Sequence, residues 1–122
     1  MTQPIVLVLG MHRSGTSLVA QVLAAHGFVT GTRVIGASDS NARGHLEDRV
    51  VVRINKRLLL HAGGSWDAPP AFPDGWLEAP FVQRQAAQAR RHADRLRQGE
   101  ARAFLKDPRC CLTLPFWRAT LG

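Results

Sequence analysis

The sequence predicts an α/β protein built on a parallel sheet. Residues Ile5–Leu9 form an unbroken run of β-branched and aliphatic side chains that stops at Gly10, the pattern of a strand buried on both faces. A glycine turn and a helical pattern follow at once, so strand, turn and helix fall within the first 27 residues. Helical segments then fill much of the chain until a second short strand candidate, Ala103–Lys106, closed by Pro108.

The elements follow in order. Helical signals begin near Gly15 and Thr16, with Leu18, Val19, Val22 and Leu23 at helical spacing and Gly27 as a stop. Residues 28–46 read as loop, with a short strand at Thr32–Ile35. Glu47–His61 reads as a helix with Val51, Ile54 and Leu58 on one face, ended by Gly63 and Gly64. Ser65–Gly75 is a proline-rich loop in which Trp66 and Phe72 are expected to cover the core. Glu78–Gln98 is helical, with Val82, Ala86, Ala89, Ala93 and Leu96 facing inward. Leu112–Leu121 is expected to be a last helix with Pro115 in its first turn. There is no internal repeat, no low-complexity tract and no second domain, so residues 1–122 are read as one unit.

Composition narrows the function classes. Hydrophobic residues make up 45% and charged residues 20%, too apolar for a disordered chain. Net charge is +7, and all cations but Lys56 and Lys106 are arginines, a balance suited to anionic ligands. Arg84, Arg90, Arg91, Arg95 and Arg97 read as a solvated helix face. No aromatic residue is interleaved among them for base stacking, so nucleic acid is not an expected partner. The amino-terminal run is too short for a membrane span and lacks the positive stretch of a leader. The adjacent Cys110 and Cys111 form no disulfide framework. A cytoplasmic location is therefore expected.

The segment that carries chemistry is GMHRSGTS, Gly10–Ser17. Its position after a buried strand and before a helix gives its glycines meaning: they let successive amides converge on one anion. The helix that follows adds its positive end and its unpaired N–H groups. The nucleoside-triphosphate loop has the form G-x-x-x-x-G-K-[ST], and Gly10 and Gly15 match its glycines. Thr16 stands where that loop has its lysine, and the cation has moved to Arg13. Such a loop suits one terminal anionic group better than a magnesium-bound triphosphate.

The run GMHRSGTSLVAQVLAAHG resembles the 5′-phosphosulfate loop of bacterial sulfotransferase-family proteins. The likeness continues in order through NARGHLED, GGSWDAPPAFPDGW and LKDPRCCLTLPFW, over nearly the whole chain. It implies a P-loop-type three-layer α/β fold with a parallel sheet. It also implies 3′-phosphoadenosine 5′-phosphosulfate as sulfuryl donor, with no metal required and a hydroxyl or amine as acceptor. By this resemblance His12, Arg13, Ser14, Gly15, Thr16 and Ser17 hold the 5′-phosphosulfate, with Arg13 touching the group in transit. Lys106 stabilises that group, and Glu47 stands where related enzymes have a carboxylate base, with Asp48 and His45 as rivals. Arg109 supports the site or binds the acceptor. A nucleotide kinase or hydrolase and a basic nucleic-acid-binding module are the competing readings.

Family members continue past the point matching Gly122 into a strand, an arginine and a serine that grip the nucleotide's 3′-phosphate. The sheet is accordingly expected to be incomplete, with only the amino-terminal half present and an exposed edge. The isolated chain is expected to bind its donor weakly and turn over little.

Overall fold

A computed structural model describes residues 4–10, 15–31, 34–35, 47–99 and 101–122; of residues 16, 17, 34, 35 and 47 it describes the backbone alone. The sheet forms where the apolar runs predict it. Strand β1, Ile5–Val8, lies parallel to Ala103–Lys106, with Ile5 beside Ala103 and Val8 beside Lys106. On the far side of Ala103–Lys106, Val29 forms a parallel bridge to Ala103. Its amide donates to the Arg102 carbonyl at 2.9 Å, and its own carbonyl accepts from Phe104 at 2.8 Å. Ala103–Lys106 is thus the inner strand, and all four of its residues are buried, as a strand with neighbours on both edges should be.

The remaining elements are α1 (Thr16–Ala25), β2 (Val34–Ile35), β3 (Glu47–Asp48), α2 (Arg49–His61), a 3-10 turn (Trp76–Glu78), α3 (Pro80–Arg97), β4 (the Ala103–Lys106 strand) and α4 (Cys110–Leu121). The described residues therefore form a mixed α/β structure with four helices, a two-stranded parallel sheet and the small antiparallel pair β2–β3.

Side chains on alternate faces of β1 and β4 enter different cores. Val8 and Phe104 pack with Ala20 of α1, joined by Leu23 and Phe28. Leu105, with Ile5 and Leu7, packs against α2, α3 and α4 through Val51, Ile54, Leu58, Val82, Ala86, Ala89, Phe116 and Trp117. The predicted inward faces of α2 and α3 hold. That of α1 does not. Leu18, Val19 and Val22 are exposed, and the small Ala20 is fully buried against Val8 and Phe104 of the sheet. The helix is apolar on two sides, so spacing did not single out the buried one.

Three helix starts shift, each for a local reason. α2 begins at Arg49 because the Asp48 carboxylate accepts from the amides of Val50 (2.9 Å) and Val51 (3.4 Å), an aspartate N-cap. α3 begins at Pro80: its fixed φ suits a first helical position, and it holds Ala79 extended. α4 begins two residues earlier than predicted, because the turn after β4 closes on itself. The amide of Cys110 donates to the Asp107 carbonyl at 2.8 Å, and that of Cys111 to the Pro108 carbonyl at 3.2 Å. Pro115 consequently lies inside the helix rather than in its first turn.

Candidate functional site

The carboxyl ends of β1 and β4 meet at one edge of the sheet. Val8 is beside Lys106, and Gly10 stands two residues beyond Val8 at the start of the glycine loop. By strand alternation Lys106 shares its face with Phe104 and Val8, the face that α1 covers. Lys106 is only 2% exposed, an unusual position for a lysine. The loop returns to helix at Gly15, whose φ of 89° is left-handed and open to glycine at little cost. α1 then starts at Thr16 and presents its amino-terminal end at that same turn. The Gly10 amide donates to Cys111 Sγ at 3.1 Å, which ties the start of the loop to the first turn of α4.

Of the predicted donor-binding residues, Gly15 is described, and the backbones of Thr16 and Ser17 open α1. His12, Arg13 and Ser14 lie outside the described residues, as does His45. Glu47 is placed by its backbone in β3, opposite Ile35. Lys106 and Asp107 are both buried, and Asp107 pairs with Arg109 at 2.7 Å.

A polar hub holds the turn that carries Lys106. Asp107 is fully buried. One carboxylate oxygen accepts from Arg109 Nη1 at 2.7 Å, and the other from Asn55 Nδ2 at 3.0 Å. Asn55 is itself fully buried. Its Oδ1 accepts from Thr113 Oγ1 at 2.7 Å and from Trp117 Nε1 at 2.8 Å. Its Nδ2 also lies 3.3 Å from Cys110 Sγ. One amide side chain from α2 therefore links the end of β4 to three positions on α4. Arg109, a candidate substrate contact, donates one guanidinium N–H, from Nη1, to Asp107. Burial pushes the Cys110 thiol up to about 12, with the nearby Asp107 and Cys111 acting in the same direction; this cysteine stays protonated and unreactive.

A second polar cluster surrounds Asp48, one of the rival bases. Asp48 is 1% exposed. Besides capping α2, it accepts from the Gly31 amide at 3.0 Å and meets His92 Nε2 at 2.5 Å. Arg95 Nη2 reaches the other ring nitrogen, Nδ1, at 3.5 Å. Among the described residues, both Asp48 oxygens are engaged by these groups, the arrangement of a structural anchor. Gly31 is required there: a Cβ at that position would lie 2.2 Å from Asp48 Oδ2.

Sequence reasoning missed Asn55, Thr113, Trp117 and His92 as site-supporting residues. Asn55 left a signal, because an amide sits on the α2 face otherwise made of Val51, Ile54 and Leu58. The Gly10–Cys111 contact joins residues 101 positions apart and left none. Among the described residues, no helix is long and apolar enough to cross a membrane. No family model, curated protein or solved structure matches the chain.

Proposed function

We propose that this is a sulfotransferase-family domain that grips the 5′-phosphosulfate of 3′-phosphoadenosine 5′-phosphosulfate in the Gly10–Ser17 loop. The observation that carries the reading is the β1–β4 register. It brings Gly10, where the glycine-rich segment starts, and a buried lysine to the carboxyl ends of two adjacent parallel strands. In this reading the sheet belongs to a P-loop-type three-layer fold. α1 lies on one face and α2, α3 and α4 on the other. β1 is followed in sequence not by its neighbour β4 but by the Val29 segment beyond it. Ligands of open α/β sheets bind at the carboxyl ends of strands, where the order steps in this way.

The chemistry follows from the residues. An acceptor hydroxyl or amine attacks sulfur in line as its proton passes to Glu47. The bond from sulfur to the 5′-phosphate oxygen breaks and releases adenosine 3′,5′-bisphosphate. Arg13, Lys106 and the loop amides stabilise the charge on the oxygens of the transferring group and the departing phosphate, each contributing about 2–4 kcal/mol. A nucleotide hydrolase would need a free carboxylate for magnesium near the end of β4. Asp107 stands there with its oxygens already accepting from Arg109 and Asn55, which favours the metal-independent reading.

Titration calorimetry tests it. Adenosine 3′,5′-bisphosphate is expected to bind without magnesium and to lose about tenfold or more in affinity on Arg13→Ala. Tighter, magnesium-dependent binding of ATP would sink the proposal in favour of a nucleotide kinase or hydrolase.

A further inference from the structure

The arginines of α3 do not form one uniform solvated face. Arg84 lies 5.9 Å from the centre of the Phe81 ring, and Arg97 lines a different depression. Arg91 and Arg95 instead face Arg53 and Arg57 of α2 across a groove of about 340 Å³, completed by Val50 and Gln88. Among the described residues, no carboxylate lies within 4.0 Å of any of these four guanidiniums.

All four arginines are exposed, so solvent screens their repulsion to a small cost, and among the described residues no acidic group offsets it. Arg53 and Arg57 are four residues apart on one helix, as are Arg91 and Arg95 on the other, and like charges at that spacing weaken a helix. Packing α2 against α3 then sets the two pairs against each other. Among the described residues, Arg95 alone of the four has a polar contact, 3.5 Å from His92 Nδ1.

We propose that the α2–α3 groove binds a compact, multiply charged anion carrying two adjacent phosphate or sulfate groups. Each helix supplies a guanidinium pair for one tetrahedral group, and guanidinium is the side chain best shaped for such oxygens. The volume is that of a small-molecule pocket. The groove is open, and its two arginine pairs stand on facing helices, an arrangement suited to a small soluble anion lying between them. Among the described residues, no aromatic side chain lines it to stack a base. This inference does not rest on the sulfotransferase reading.

The test is calorimetry with inorganic pyrophosphate at constant ionic strength. Arg53→Gln/Arg91→Gln is expected to weaken binding about a hundredfold, a factor of about ten for each lost charge-assisted contact. Arg90→Gln, outside the groove, is expected to change it less than twofold. Arg13→Ala should leave groove binding in place; loss in that variant but not in the groove variant would assign the anion to the glycine loop and overturn the proposal. Equal losses for Arg90→Gln and the groove variant would reduce the effect to diffuse surface charge and overturn it too. Groove-dependent binding to phosphatidylserine vesicles, with no binding of pyrophosphate, would overturn it in favour of a membrane surface. The groove variant should melt at or above the wild type, since like-charge pairs are relieved. A clearly lower melting temperature would show that the arginines hold the helices together, against the proposal.

Discussion

Replacing Asn55 by leucine tests whether the polar hub governs the turn that carries Lys106. Leucine has nearly the same volume and preserves the apolar packing of α2, so the cost comes from hydrogen bonding. Thr113 keeps a partner, because its hydroxyl also reaches the Arg109 carbonyl at 3.2 Å. The Trp117 indole N–H loses its acceptor at 2.8 Å, and Asp107 loses the donor to one carboxylate oxygen at 3.0 Å. All three residues are at most 1% exposed. An unpartnered buried polar group costs about 1–3 kcal/mol, and more for a charged one. The sum is about 3–5 kcal/mol, a large part of the roughly 5–15 kcal/mol that holds a typical domain folded. At this chain length the melting temperature, read by circular dichroism, should fall by roughly 10–20 °C. Trp117→Phe removes the indole donor, so the double variant should recover about 1–2 kcal/mol relative to the sum of the single changes. A loss below about 3 °C for Asn55→Leu, or strict additivity with Trp117→Phe, would refute the hub.

Other consequences can be measured separately. Gly31→Ala should destabilise by about 1–3 kcal/mol by driving a methyl into Asp48; in an Asp48→Ala background the same change should be close to neutral in chemical denaturation. Asp48→Asn should lower stability, whereas Glu47→Gln should leave it unchanged and lower sulfuryl transfer or donor hydrolysis; the opposite pattern would exchange their roles. Thiol labelling should find Cys111 reactive and Cys110 blocked until the chain unfolds. Between pH 9.0 and about 12 the unfolded chain ionises Cys110 while the folded chain keeps the proton. Stability should therefore fall across that window by up to about 1.4 kcal/mol per pH unit. Cys110→Ala should remove this part of the slope, and an unchanged slope would count against a buried thiol.

Much of this frame was legible in the chain. Ile5–Leu9 and Ala103–Lys106 announced strands because short apolar runs bounded by glycine and proline have few other uses. The buried faces of α2 and α3 followed from helical spacing. The buried side of α1 was hidden, since Leu18, Val19 and Val22 are apolar yet exposed while Ala20 meets the sheet. Helix starts were displaced by capping and turn chemistry: Asp48 holds the amides that begin α2, and the Asp107–Arg109 turn winds directly into α4. The supporting network was hardest to read. Asn55, Asp107, Thr113 and Trp117 are up to 62 residues apart, and only the parallel pairing of β1 with β4 brings the glycine loop within reach of that network through Cys111. Likewise the α3 arginines look like ordinary surface charge until α2 presents its own pair opposite two of them.

In the proposed function the glycine loop and Lys106 act on one anion. A double-mutant cycle on 3′-phosphoadenosine 5′-phosphosulfate binding tests this directly, using Arg13→Ala, Lys106→Met and the pair. Groups that hold the same phosphosulfate should show a coupling energy of about 1 kcal/mol or more, the double variant losing less than the sum of the single ones. Additive losses, or a Lys106→Met protein that is folded and binds the donor as the wild type does, would contradict it.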